Sequence, residues 1–265
     1  MVRFEAIDPT HCQASARPQE RDSTTVFSIK DTQNDEPSLI SVLDVSERYI
    51  GRLKQSASDY SGKTVTSAVI AIPTDASDSQ KAALVEAAQK AGLRVLQYVA
   101  EPIAALMAHD VKGGYEDKIV AVADFGGTRS DVAIIASRGG MYSILATLHD
   151  YNLGGIQLDQ VLIDHFAKEF IKKHKTDPRE NAKSLAKLRL EAESVKKALS
   201  QSTSATFSAE SLADGIDFRL AINKTRYELL GGKILQSLGR LVEEAVKKAG
   251  LDKLEIDEVR SWNNF

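Results

Sequence analysis

The sequence predicts an α/β protein, and three observations carry that expectation. First, residues 119–147 read IVAVADFGGTRSDVAIIASRGGMYSILAT, three apolar runs separated by glycine turns. Ile119–Ala123, Val132–Ala136 and Met141–Thr147 have the length and β-branched content of strands, and Gly139-Gly140 between the last two is a hairpin signal. Second, Leu39, Val42, Val45, Tyr49 and Leu53 recur at steps of three and four residues, the stripe of an amphipathic helix. Third, shorter apolar runs at Val65–Ile72 and Leu93–Val99 alternate with helical segments, as in a strand–helix–strand arrangement.

Taken in order, Met1 to Pro37 reads as irregular, with Val26–Ile29 a short strand at most. His11 and Cys12 are adjacent, but no partner spacing makes them a catalytic pair. A helix over Leu39–Ser58 ends at Gly62, and Pro73 stops the strand Val65–Ile72. Ser77-Asp78-Ser79-Gln80 has the spacing of a capping box and opens a helix that runs through Ala91 to a stop at Gly92. Glu101-Pro102 begins another helix directly after a strand. Lys112–Asp117 is a polar link into the three-strand stretch. Asp150–Gly155 is a second glycine turn, followed by a helix over Ile156–Lys172. Leu185, Leu188, Ala192, Val195 and Leu199 line a further helix. Its basic stripe, Lys183, Lys187, Arg189, Lys196 and Lys197, reads as a solvated face. Ala205–Ser208 alternates as a strand, and Asn223–Ala249 is a long helix with an expected interruption at Gly231-Gly232. Leu251–Val259 leads toward one more buried strand, which the polar ending Arg260–Phe265 does not supply.

Composition excludes several classes. The net charge is −3 over 265 residues, so no overall basic surface calls for nucleic acid. One cysteine excludes an intrachain disulfide, and one cysteine with five scattered histidines is no metal cluster. No apolar run has the length of a membrane span, and the N-terminus has no apolar signal core. The chemistry that remains is phosphate binding. Adjacent glycines such as Gly126-Gly127 let backbone N–H groups converge on an anion, and a carboxylate at a strand end, such as Asp124, can hold magnesium through water. Alone, a Gly-Gly turn after a strand is more often a plain turn.

The order of parts brings in a resemblance. Asp124-Phe125-Gly126-Gly127-Thr128-Arg129-Ser130-Asp131 resembles the second phosphate loop of actin-like ATPases, and within them that of the heat-shock protein 70 family, whose ordinary members carry Asp-Leu-Gly-Gly-Gly-Thr-Phe-Asp. Asp78-Ser79-Gln80, Glu101-Pro102, Leu153-Gly154-Gly155 and Glu193–Ser200 match further family motifs in family order. The resemblance covers roughly Leu39 to Val259 and implies an actin-like (ribonuclease H-like) two-lobed ATPase fold. It implies an irregular segment over 1–37, part of lobe I over 38–114 and part of lobe II over 115–265. It also implies an incomplete domain. The family's first phosphate loop, its catalytic lysine and its Gly-Gly-Ser turn find no match, and the strands at Val65–Ile72 and Ile119–Ala123 are expected to lack a neighbour.

Carried over residue by residue, the resemblance implies that Glu101 positions the attacking water and that Pro102 signals between domains. Asp124 holds magnesium through water. Gly126, Gly127, Thr128 and Arg129, with Gly154 and Gly155, meet the phosphates of ATP. Glu193, Lys196, Lys197 and Ser200 meet the adenosine. Arg129 stands where the family has threonine, and Lys197 where it has arginine. A guanidinium in place of a small hydroxyl favours phosphate binding over turnover. The Gly-Gly-Thr-Arg-Ser-Asp loop, with His149-Asp150-Tyr151 and Asp177–Asn181, resembles most an atypical branch of the family. The resemblance implies a chaperone component that binds ATP with magnesium without needing to hydrolyse it. It implies partnership with a zuotin-like J-protein and a ribosome-associated chaperone in the cytoplasm. An active ATPase chaperone, and a remnant that binds no nucleotide, are the other expectations.

Overall fold

The computed structural model describes residues 18–21, 24–29, 38–110 and 117–263, so His11 and Cys12 lie outside it. The chain divides into two compact units, one ending at Ala108 and one beginning at His109.

The first unit opens with a three-stranded antiparallel sheet in the order β1-β2-β3, formed by β1 (Pro18–Arg21), β2 (Thr24–Ile29) and β3 (Ser38–Ser41). The sequence pattern predicts irregular chain here beyond Val26–Ile29. A hairpin ladder needs paired backbone more than an apolar period, and Pro18 sits at the start of an edge strand, where its missing N–H costs nothing. Helix α1 (Val42–Ser61) starts three residues later than its apolar stripe, because Ser41 and Asp44 form a capping box. Gly62, at φ 65°, ends it. Strands β4 (Ser67–Ile72) and β5 (Arg94–Ala100) pair in parallel around helix α2 (Asp78–Lys90). The capping box expected at Ser77 and Gln80 is present, with the Ser77 N–H donating to Gln80 Oε1 at 2.8 Å. Ile50, Ala87, Ala88 and Leu93 form the small core between α1 and α2. Helix α3 (Glu101–Asp110) follows β5 without a break.

The second unit is built on a four-stranded sheet, β11-β6-β7-β8. Strands β6 (Lys118–Phe125), β7 (Ser130–Arg138) and β8 (Met141–Asp150) form an antiparallel meander. Gly139 and Gly140 take φ 55° and 81°, the left-handed pair that a tight hairpin requires. Helices α4 (Gly155–His174) and α5 (Ala182–Gln201) come next, then the hairpin of β9 (Ser204–Ala213) and β10 (Ile216–Asn223). Helix α6 (Lys224–Lys248), a short 3-10 turn and β11 (Glu258–Asn263) complete the unit.

Two expectations are corrected here. Strand β11 does arrive. It lies parallel to β6 from Glu258 opposite Val120 to Asn263 opposite Phe125, so β6 has a neighbour on each side. The apolar pattern misses it because β11 stands at the end of the sheet order, where the ladder alone can hold a polar strand such as Glu258-Val259-Arg260-Ser261. Asp257 anchors it, accepting from the Ile119 N–H at 2.7 Å and donating its own N–H to the Ile119 carbonyl at 3.0 Å. Helix α6 also runs unbroken through Gly231-Gly232. A Cβ at Gly231 would lie 3.1 Å from Leu158 Cδ2, so this glycine lets α6 approach α4 closely and does not stop the helix.

Among the described residues of the second unit, two apolar clusters pack the helices. Ala121, Ala123, Val132 and Ile134 on one face of the sheet pack with Leu238, Leu241 and Ala245 of α6. Phe166 and Phe170 of α4, Leu188 and Leu199 of α5, and Phe207 and Phe218 of the β9–β10 hairpin form the other. Phe166 and Phe207 have ring centroids 4.3 Å apart.

Candidate functional site

The glycine turns at Gly126-Gly127 and Gly154-Gly155 meet at one place. The first joins β6 to β7 and is closed by a hydrogen bond from the Gly126 N–H to the Arg129 carbonyl at 2.9 Å. The second leads into α4. There the N–H of Gly155 donates to the Gly126 carbonyl at 3.0 Å, and that of Ile156 to the Gly127 carbonyl at 2.9 Å. Two of the free N–H groups of the helix's first turn are thus taken by the neighbouring loop. Ser130, fully buried, adds a link from its hydroxyl to the Leu153 carbonyl at 2.7 Å.

Glycine is required at two of these positions by space. A Cβ on Gly154 would come within 2.8 Å of the carbonyl oxygens of both Gly126 and Gly127. One on Gly126 would come within 2.9 Å of the Arg129 carbonyl. At Gly127 a Cβ would meet nothing within 4 Å, and Gly127 and Thr128 are exposed. The tip of the loop therefore presents open backbone, the surface an anion can approach.

Asp124, Asp131 and His149 stand in one row across β6, β7 and β8, each in register with the next. Arg129 reaches back over this row. Its Nε donates to Asp131 Oδ2 at 2.6 Å and an Nη donates to Asp131 Oδ1, a two-pronged pair. Its guanidinium carbon lies 4.7 Å from the centre of the Tyr151 ring, and its other Nη reaches the Tyr151 hydroxyl at 3.3 Å. The ring Nδ1 of His149 lies 2.8 Å from Asp131 Oδ1. Arg129 is thus a fixed cation whose charge is shared with a carboxylate inside the chain.

Asp124 behaves differently. Its Oδ1 is buried and has no hydrogen-bond partner. Burial raises its carboxyl above the ordinary carboxylate range, the nearby Asp131 raises it further, and Arg129 offsets part of the effect. A desolvated carboxylate oxygen without a donor fits a bound cation or its water, so the residue present suits magnesium.

The residues read as adenosine-binding lie on the second half of α5. Glu193 and Lys197 pair with each other at 2.7 Å, and the Ser200 hydroxyl donates to the Lys197 carbonyl at 2.6 Å. The hydrogen bond from the Lys197 ammonium holds the Glu193 carboxyl below its usual range. Lys196 points the other way. It is 7% exposed, and its ammonium lies 2.8 Å from Asp159 and 3.4 Å from the Gly155 carbonyl. The basic stripe of α5 is therefore not one solvated face. Lys183 and Lys197 are exposed, Lys187 binds the carbonyls of Glu210 and Ser211, and Lys196 is internal. Glu101 is the first residue of α3 and belongs to the first unit.

The first unit also holds a cavity of about 580 Å³ beside α1 and β4, lined by Val45, Tyr49, Leu53 and Val69 among others. Its lining is apolar apart from Ser46, Tyr49 and Lys54, and Lys54, its one cationic lining residue, is engaged by the Ala91 carbonyl, so the lining is a poor match for phosphate.

The family described as Hsp70 protein matches residues 15–260. The chain belongs to the Hsp70 family. Its mixed α/β architecture is that of the Hsp70 actin-like ATPase domain, covered in part. It is 45% identical over 257 residues to the Ribosome-associated complex subunit SSZ1 of Saccharomyces cerevisiae, covering 97% of this chain and 48% of that protein. It is 44% identical to a heat shock protein 70 homolog of Schizosaccharomyces pombe, covering 94% of this chain and 45% of the relative. A ribosome-associated molecular chaperone of Saccharomyces cerevisiae is 35% identical over 85% of this chain and 37% of its own length. The chain thus spans about half the length, or less, of these curated Hsp70 relatives.

Asp131, His149, Tyr151, Ser130 and Asp159 join the residues expected from sequence at this place. Asp131 and His149 lie inside the matched motifs, but nothing in their spacing says that they meet. Among the described residues no helix is long and apolar enough to cross a membrane.

Proposed function

We propose that this chain is the nucleotide-binding part of an Hsp70-type chaperone component that binds ATP and does not usefully hydrolyse it. The observation that carries the reading is the interlock of the two glycine turns, with an open tip at Gly127-Thr128 and a fixed guanidinium at Arg129. Open backbone and a fixed cation suit phosphate groups. Gly126, Gly127, Thr128, Arg129, Gly154 and Gly155 form the phosphate end. Glu193, Lys197 and Ser200 lie on α5 as candidates for the adenosine end. Asp124 would hold magnesium, through water, and the ion would supply charge neutralisation to the phosphates. The likeness to SSZ1 and to the ribosome-associated molecular chaperone of the same yeast supports action at the ribosome with a J-protein, and with it a cytoplasmic location.

Titration calorimetry of the 265-residue chain with ATP and magnesium tests the reading. Binding that weakens when Arg129 is replaced supports it, and a folded chain blind to ATP overturns it. A second reading, an active ATPase, is favoured by the unpartnered oxygen of Asp124, since turnover needs a metal. Steady-state hydrolysis above that of a Glu101→Ala control, accelerated by a J-protein, would decide for it.

A further inference from the structure

The two glycine turns are joined by side chains as well as by backbone. Asp150 ends β8, and its Oδ1 accepts from the Asn152 N–H at 2.8 Å, a local turn that leads the chain from the strand toward Gly154-Gly155. Tyr151 stands on that turn. Its ring lies against the guanidinium of Arg129, whose carbon is 4.7 Å from the ring centre, and its hydroxyl accepts from an Arg129 Nη at 3.3 Å. Arg129 belongs to the other turn, the one whose tip is open at Gly127-Thr128. The segment 126–129 is therefore fastened to the segment 151–156 at both ends, by the Gly126 and Gly127 carbonyls at one and by Arg129 on Tyr151 at the other.

Tyr151 is 46% exposed and belongs to neither apolar cluster described above, so its ring is not placed there by core packing. What it contacts is a cation, and a cation over an aromatic face is attracted by the ring quadrupole. The fork from Arg129 to Asp131 fixes two nitrogens, Nε and an Nη, but leaves the guanidinium plane free to hinge about the line of those two hydrogen bonds. A ring against the face, with a hydroxyl on the remaining Nη, removes that hinge.

We propose that Tyr151 is a positioning residue for the phosphate end: it stops the Arg129 guanidinium from hinging about its fork with Asp131 and so keeps that cation beside the open tip Gly127-Thr128. Tyr151 acts through Arg129 and not on the nucleotide. Its effect on affinity rests on the nucleotide-binding reading, whereas its hold on Arg129 does not.

The test uses Tyr151→Leu, which removes the ring, and Tyr151→Phe, which keeps it. In the nucleotide-free chain the Arg129 Nε–H resonance is followed by NMR and is assigned by its absence from Arg129→Ala. A guanidinium over an aromatic face carries a ring-current shift, which Tyr151→Leu is expected to abolish and Tyr151→Phe to retain. Calorimetry with ATP and magnesium is expected to show affinity weakened about two- to fivefold in Tyr151→Leu and held within about twofold in Tyr151→Phe. In the Arg129→Ala background, Tyr151→Leu is expected to change affinity no further. An Arg129 resonance unmoved by Tyr151→Leu overturns the proposal. So does a loss of the same size with and without Arg129, the mark of a direct contact or of general loosening, and so does unchanged affinity in Tyr151→Leu when the unaltered chain binds ATP. If the unaltered chain binds no nucleotide, the functional reading fails, and the resonance alone decides the role of Tyr151.

Discussion

Gly154 and Gly126 lie so close that a Cβ on the first would stand 2.8 Å from the carbonyl oxygen of the second. Gly154 is extended, at φ −177°, so its backbone would accept any residue, and the demand for glycine is one of space. Both contacts are to backbone carbonyls, which cannot rotate away as a side chain can. Gly154→Ala is therefore expected to push the loop off α4, freeing the Gly155 and Ile156 N–H groups. The cost is about 1–3 kcal/mol of stability, read as a lower denaturant midpoint with an unchanged slope. ATP binding is expected to be lost with it.

Arg129 joins loop, strand and aromatic ring through Asp131 and Tyr151. Arg129→Ala is expected to weaken ATP binding roughly ten- to a hundredfold, the worth of one charge-assisted contact of about 1.5–3 kcal/mol. Arg129→Lys keeps the charge but loses the planar fork, so it should recover only part of the affinity. Calorimetry on both variants checks the order.

The raised carboxyl of Asp124 has a consequence for pH. Its folded value lies above the unfolded one, so in the window between them the native chain holds the proton that the unfolded chain has released. Stability contributed by this group is present below the ordinary aspartate value and is lost as pH rises through the folded one. Asp124→Asn is expected to remove that decline, measured as denaturant midpoints from the ordinary aspartate value upward in pH. Magnesium binding runs the other way. It requires the ionised carboxylate and should strengthen as pH rises through the same window.

Phe166 is fully buried and touches Phe207 across the α4 to β9 boundary. Phe166→Ala is expected to cost about 3–5 kcal/mol through lost burial and an unfilled cavity. Near-ultraviolet dichroism during thermal melting would show the loss as an earlier transition. The sheet core around Ile134 and Leu241 shares no cluster with Phe166, so its amides should keep more of their exchange protection.

Much of this architecture is local chemistry and is legible in the residues. The capping box at Ser77 and Gln80, the hairpin at Gly139-Gly140 and the helix stop at Gly62 depend on groups a few positions apart. The two glycine turns are legible for the same reason. The basic stripe of α5 misleads, because periodicity says which residues share a face but not which neighbour covers it. Asp159 on α4 turns Lys196 inward, and that partner lies 37 residues away in the chain.

The row Asp124, Asp131, His149 shows where local reading ends. Carried straight down from the hairpin, the pairing of Arg138 with Met141 would set Leu148 opposite Asp131. A bulge in β8 near Leu145 shifts the register by one residue and brings His149 there instead. Elements, caps and glycine turns follow from the residues alone, since each rests on backbone sterics and hydrogen bonds within a few positions. The register past the bulge, the burial of Lys196 and the seating of β11 beside β6 are set by packing in three dimensions. Each of these depends on a partner distant in the chain, whose position no local pattern contains.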